Sequence, residues 1–247
     1  MKIVGVIPAR YNSSRLPGKP LADICGKPMI WWVYEQSLKV PELDEVYVAT
    51  DDERIECVCK KLGMNVVMTS VDCETGTDRV GEVARMISAD LYVNIQGDEP
   101  LMSPEVISKV ITPFYDNPDL QVANLMCKIE DPIEVVNFTI PKVIANREGV
   151  GIYLTRSTAP YPKGSINYDY YKQTCVYGFK PEALEFFCKT PRGKIEQIED
   201  IEILRFIENG YKVQYVEVKS DNVAVDTKND LEKVRALMAE KIARGEI

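Results

Sequence analysis

The 247-residue chain contains no histidine. That excludes Ser-His and Cys-His nucleophile systems and removes the commonest general base. Its chemistry must rest on carboxylates, Lys, Arg, Tyr or a metal held by oxygen. No CxxC occurs among Cys25, Cys57, Cys59, Cys73, Cys127, Cys175 and Cys188. Their number is odd and their spacing irregular, so neither a disulfide framework nor a zinc site is expected. Cys57 and Cys59 lie two apart on an expected helix and should face different ways. No apolar run reaches the roughly 18 residues of a membrane span. The opening MKIVGVIPARY lacks the apolar core and cleavage site of a signal peptide. The expectation is a cytoplasmic protein with no membrane partner. Positive charge is the scarcer sign: 30 Lys and Arg against 38 Asp and Glu give a net charge of −8. Nucleic acid is therefore disfavoured as a partner, and an anion can bind only at a local cationic site. GxxxxGK[ST] and GxGxxG are both absent, which argues against a Walker loop and a dinucleotide site.

What is present is an ordinary globular composition, 45% hydrophobic and 28% charged. Hydrophobic spacing predicts strands at 3–7, 45–49, 65–68 and 91–95, alternating with helices at 28–38, 52–62, 78–88 and 104–114. That alternation argues for a parallel sheet covered by helices. Ligands then bind outside the carboxyl ends of the strands, at the loops 8–20, 50–52, 69–79 and 96–100. The second half is less regular. Strands are expected at 122–126, 151–154, 175–179 and 213–218, helices at 181–188, 195–208 and 228–243, and a loop at 157–169. No linker or repeat appears. The expectation is one α/β domain over 1–247, with a mixed-strand excursion near 120–180.

Five stretches carry chemistry. RYNSSRLPGKP (10–20) places Arg10, Arg15 and Lys19 on a loop stiffened by proline, suited to phosphate oxygens unless it is merely a solvated basic loop. GTDR (76–79) offers Thr77 or Asp78 as a helix N-cap, a role that leaves Arg79 for a phosphate or carboxylate. QGDEP (96–100) sets Asp98 just past a strand end, where it can hold Mg²⁺, with Glu99 as a cap; a polar turn is the alternative. In NVAVDTKND, Asp226 is a second acidic candidate, and Asp226 or Thr227 can cap the last helix. In IEQIEDIEILR (195–205), Glu196, Glu199 and Glu202 fall on one side of a helix and need neutralising by another element or a ligand, unless that face is simply solvated.

Together these segments resemble the 3-deoxy-manno-octulosonate (Kdo) cytidylyltransferase family, the CMP-Kdo synthetases. IPARYNSSRLPGKPL, VATDDERI, VVMTS…GTDR, NIQGDEPL, VYGFK, IEQIEDIEILR and VAVDT occur in that order and cover nearly the whole chain. The resemblance implies a nucleotide-diphospho-sugar transferase, Rossmann-like fold and a homodimer, with 120–180 serving sugar binding and dimer contacts. It implies that CTP and Kdo give CMP-Kdo and pyrophosphate with Mg²⁺, for surface polysaccharide such as lipopolysaccharide. By the same resemblance Arg10 and Lys19 bind the triphosphate with help from Arg15. Asp98 and Asp226 hold metal. Asp51, Arg79 and Gln96 serve the nucleotide, and Arg79, Gln96, Gln173, Tyr177 and Glu202 the sugar. Two histidines usual in the family are missing, one near Cys73 or Glu74 and one at Gln173. The acid is Kdo, its 8-amino analogue or another 2-keto-3-deoxy acid. A hexose-1-phosphate nucleotidyltransferase and a silent nucleotide-binding subunit are the remaining alternatives.

Overall fold

The structure, a computed structural model, describes residues 1–12, 15–164, 168–219 and 223–247. The serine pair of the basic loop, the middle of the 157–169 loop and the Asn that opens NVAVDTKND lie outside the described residues.

Strand β1 (Ile3–Ala9) is followed by a short hairpin, β2 (Asp23–Ile24) and β3 (Lys27–Pro28), and by α1 (Met29–Leu38). Then come β4 (Glu45–Thr50), α2 (Glu53–Lys61), β5 (Val66–Met68), α3 (Gly76–Met86) and β6 (Leu91–Ile95). Two short helices, α4 (Pro104–Lys109) and α5 (Thr112–Asp116), replace the single helix expected over 104–114. Pro113 has no N–H to continue the ladder there. The second half runs β7 (Val122–Lys128), α6 (Pro132–Val136), β8 (Lys142–Ala145), β9 (Gly151–Thr155), β10 (Tyr171–Phe179), α7 (Pro181–Lys189), α8 (Lys194–Glu199), α9 (Leu204–Glu208), β11 (Val213–Val218) and α10 (Lys228–Ala243).

The main sheet follows the order β11-β7-β10-β6-β1-β4-β5, with β8 paired to β10 and β9 to β8. Within that path only β10 runs against its neighbours; β1, β4, β5 and β6 are mutually parallel, as are β7 and β11. The carboxyl ends of four parallel strands therefore share one edge with the beginning of β10. The central runs IVGVI and LYVNI are apolar on both faces because helices cover both. On one face Phe179, Phe187 and Phe206 are fully buried and in ring contact. Truncating any of them to Ala would cost about 3–5 kcal/mol.

The expected helix over 195–208 is broken. Asp200 sits at φ 51°, in the left-handed region, and ends α8. The three glutamates consequently part company. Glu196 is completely buried and pairs bidentately with Arg205, at 2.8 and 2.7 Å. Glu199 accepts from Tyr153 Oη, Thr155 Oγ1 and the Arg156 N–H at 3.0, 2.6 and 2.8 Å. Glu202 accepts from the Thr77 N–H. They do not form the shared face expected from helical spacing.

All seven cysteines are free, with Cys57 exposed and Cys59 buried. No helix among the described residues is long and apolar enough to cross a membrane.

Candidate active site

In the loop after β1, Tyr11 and Gly18 are cross-braced. Gly18 takes φ +70°, and its N–H donates to the Tyr11 carbonyl at 2.8 Å. The Tyr11 ring packs on Gly18 from inside the turn, where a side chain would crowd it. Arg54, paired with Asp52 at the start of α2, lies over the Tyr11 ring at 3.3 Å. Tyr11 and Gly18 are thus tied to each other, and Arg54 braces Tyr11 from outside.

Across the edge from this loop, Gly97 packs so closely that a Cβ would stand 2.9 Å from the Pro8 carbonyl oxygen. That contact draws the QGDEP turn against β1 and brings Asp98 to Lys19. Lys19 Nζ donates to Asp98 Oδ2 at 2.6 Å and lies 3.5 Å from Asp226 Oδ1. Arg15 reaches the same Asp226 oxygen at 2.9 Å. The Val225 N–H donates to the Asp98 carbonyl at 2.9 Å, so the two acidic segments are tied through the backbone as well.

Helix α3 is capped by Thr75, not by Thr77 or Asp78 as expected. Thr75 and Asp78 form a reciprocal capping box. This moves the helix start upstream and places Arg79 one turn in, only 2% exposed. Its guanidinium donates to Thr69 Oγ1 and lies 3.5 Å from Asp51. Asp51 therefore stands behind Arg79 and lines neither lobe of the cleft described below. Thr227 likewise caps α10 in a box with Asp230, which leaves Asp226 out of the cap and open to cations.

These groups line a cavity of about 460 Å³ containing Arg10, Arg15, Lys19, Arg79, Gln96, Asp98 and Asp226. Four cations face two carboxylates there, inside an acidic protein. A second lobe of about 1140 Å³ shares Arg10, Arg15, Gln96 and Asp226 with the first. It extends over Gln173, Cys175, Tyr177 and Glu202 to Arg156 and Lys172. The expected site residues are thus brought to one two-lobed cleft, apart from Asp51. Burial pushes the Tyr177 hydroxyl well above its ordinary value and also raises the Glu202 carboxyl, against hydrogen bonds from Thr75 and Thr77.

Asp98 and Asp226 come from distant segments and converge on one cation, the Lys19 ammonium. Two oxygen donors around a cation fit Mg²⁺, which binds through one or two carboxylates and completes its shell with phosphate oxygens and water. Among the described residues no cluster of three or more His, Cys, Asp or Glu offers a cage independent of substrate.

Sequence reasoning missed Arg156. Its guanidinium donates to the carbonyls of Glu199, Asp200 and Thr139 at 2.6, 2.9 and 3.1 Å. Among the described residues it forms no side-chain ion pair, although the Glu199 carboxylate nearby feels its charge, and it lines the second lobe. A lone Arg amid Thr, Ser and Pro reads as surface loop. Its place just past β9 was the available signal.

The chain matches the cytidylyltransferase family over residues 4–231. It is 43% identical over 244 residues to the 3-deoxy-manno-octulosonate cytidylyltransferase of Escherichia coli, covering 99% of each chain. This chain belongs to the 3-deoxy-manno-octulosonate cytidylyltransferase family. A solved CMP:2-keto-3-deoxy-manno-octonic acid synthetase complexed with CTP aligns at a TM-score of 0.94 and 42% identity, covering 98% of this chain and 100% of that one. A cytidylyltransferase from Leptospira borgpetersenii serovar Hardjo-bovis, only 19% identical, shares the fold at a TM-score of 0.66 over 97% and 87% of the two chains. The mostly parallel sheet with its antiparallel excursion is accordingly the Rossmann-like architecture of these nucleotidyltransferases.

Proposed function

We propose that this protein transfers CMP from CTP to the anomeric hydroxyl of Kdo, releasing pyrophosphate. The observation that carries the reading is the two-lobed cleft: a lobe rich in cations opens into a lobe lined by Arg156 and Lys172. The first suits a triphosphate, the second a sugar bearing a carboxylate. Arg10, Arg15 and Lys19 hold the triphosphate, with Arg79 and Gln96 at the junction where nucleotide and sugar meet. Asp51 acts through Arg79 by holding its guanidinium. Gln173, Tyr177 and Glu202 face the sugar, and Arg156 faces its carboxylate. Mg²⁺, held by Asp98 and Asp226, would neutralise phosphate charge and the departing pyrophosphate.

Phosphoryl transfer of this kind needs positioning and charge neutralisation more than covalent catalysis. A chain without histidine can therefore perform it. The attacking sugar oxygen forms a bond to the α-phosphorus, and the bond to the bridging oxygen of pyrophosphate breaks. Consumption of CTP fits a cytoplasmic enzyme, and the product fits supply of an activated sugar for surface polysaccharide. A homodimer fits the exposed Ile133, Val136 and Phe138, which lie within six residues of one another and offer an apolar surface to a second copy.

A second reading, the same chemistry on the 8-amino analogue of Kdo, rests on Gln173. It leaves the sugar lobe without the imidazole usual in the family. Mass spectrometry of the product from CTP and Mg²⁺ with each acid tests both readings. A CMP adduct of Kdo supports the first, preference for the amino sugar the second, and intact CTP with either acid refutes both.

A further inference from the structure

The ladder between β7 and β10 breaks at the floor of the second lobe. Thr174 pairs with Leu125, and the next pair is Tyr177 with Asn124. Cys175 and Val176 are thus accommodated in a bulge, a device that re-aims side chains beside functional sites. Asn124, fully buried, fills that bulge. Its Nδ2 donates to the carbonyls of Thr174 and Val176, at 2.9 and 2.8 Å. Its Oδ1 accepts from Gln173 Nε2 at 2.9 Å.

This network has one polarity. Backbone carbonyls can only accept, so the Asn124 amide can sit only one way round. Its Oδ1 must then face Gln173 and accept a hydrogen bond. If the Gln173 amide were flipped, two acceptors would meet with no hydrogen between them. Nε2 is therefore turned inward, and Oε1, which has no partner among the described residues, is left to the cavity that Gln173 lines. Neither amide titrates, so the arrangement holds at every working pH.

We infer that Asn124 is a positioning residue that fixes the polarity of Gln173, and that Gln173 selects acceptor sugars offering a hydrogen-bond donor to its Oε1. This rests on the proposed sugar-acid reading. It adds a requirement: the sugar must carry a hydroxyl, or another donor, at the point facing Gln173. An imidazole at this position could donate, accept or become charged; the Asn124-locked amide turns an acceptor to the sugar.

The test is a cycle between substrate and protein variants. Wild type and Gln173→Leu are assayed by pyrophosphate release with CTP, using Kdo and a set of analogues in which fluorine replaces one non-reacting hydroxyl at a time. Fluorine keeps the size but cannot donate. In wild type one analogue should lose roughly 2- to 10-fold in kcat/KM, mainly through KM, the size of one net neutral hydrogen bond. In Gln173→Leu that penalty should fall to about 1-fold while the KM for CTP stays put. A penalty that survives in Gln173→Leu, or an equal rise in the KM for CTP, overturns the selection role. Asn124 is tested without mutation, because its loss would remove a donor from two carbonyls at the bulge. The Gln173 side-chain amide, assigned by NMR through its disappearance in Gln173→Leu, should exchange slowly with solvent. Exchange at the rate of a free amide overturns the positioning role. If wild type releases no pyrophosphate with Kdo or any analogue, the sugar-acid reading itself fails and takes this inference with it.

Discussion

Replacing Lys19 by Ala removes the cation on which Asp98 and Asp226 converge, and the structure sets the size of the effect. In the unliganded cleft Lys19 is held by the two carboxylates, with its side chain 14% exposed and theirs 25% and 40%. Partly exposed pairs of this kind contribute about 0.2–1 kcal/mol. A charge-assisted bond to a phosphate oxygen contributes about 1.5–3 kcal/mol. Binding CTP exchanges the first for the second, so losing Lys19 should weaken CTP by roughly 0.5–2.8 kcal/mol, or about 2- to 100-fold. Calorimetric titration of CTP reads the loss directly, and steady-state pyrophosphate release shows whether the KM for Kdo stays within about 2-fold. The same substitution removes a competitor from the two carboxylates, so Mg²⁺ titrated without CTP should bind more tightly to the variant. A CTP loss below 2-fold, an equal loss for the sugar, or weaker Mg²⁺ binding would each refute the reasoning.

Asp98→Asn should retain the fold and lose most turnover; near-normal turnover in a folded variant would remove Asp98 from the metal site. Glu196→Gln should lower stability by about 3–5 kcal/mol, because it removes the bidentate carboxylate of the buried Arg205 guanidinium and leaves it the longer pair with Asp78 at 3.9 Å. For a chain of this length that is a fall of roughly 6–20 °C in Tm, and joint replacement of both partners by apolar residues should recover most of it. Glu202→Gln should stabilise at neutral pH. Burial raises the Glu202 carboxyl in the folded state, so the wild-type group contributes stability at acid pH that is lost as pH rises through its folded pKa. The gap in Tm between variant and wild type should widen from pH 4 to pH 8, and a constant gap would contradict that cause. Cys25 and Cys57 are exposed and should react quickly with a thiol reagent. Burial pushes Cys59 up to about 11 and Cys73 up to about 12, so these two should react only after unfolding.

The first half of the fold was legible because its strands are continuous apolar runs and its helices carry start and stop signals. Those signals locate loops at strand ends, so Arg10, Lys19, Gln96 and Asp98 fall together on topology alone. Spacing failed where the chain bends for a local reason. At 195–208 the turn at Asp200 overrode the helical period and sent each glutamate to a different partner. At 104–114 Pro113 did the same. The cap of α3 was misplaced because Thr75, Thr77 and Asp78 are all good capping residues, and only the reciprocal bond between Thr75 and Asp78 decides among them. Asp51 sits at the right strand end but turns to Arg79. Arg156 carries little local signal beyond its place just past β9, and Asn124 none, since one depends on carbonyls from two distant segments and the other on a bulge visible only once two strands are paired.

The central claim is that the cationic lobe and the sugar lobe work on CTP and Kdo together. The most direct measurement is the initial rate of pyrophosphate release with CTP and Mg²⁺, comparing Kdo, no acceptor and a panel of hexose 1-phosphates. The account predicts release that depends on Kdo, matches CMP-Kdo mole for mole and collapses in Asp98→Asn. Release that ignores Kdo, or that is faster with a hexose 1-phosphate, would contradict it.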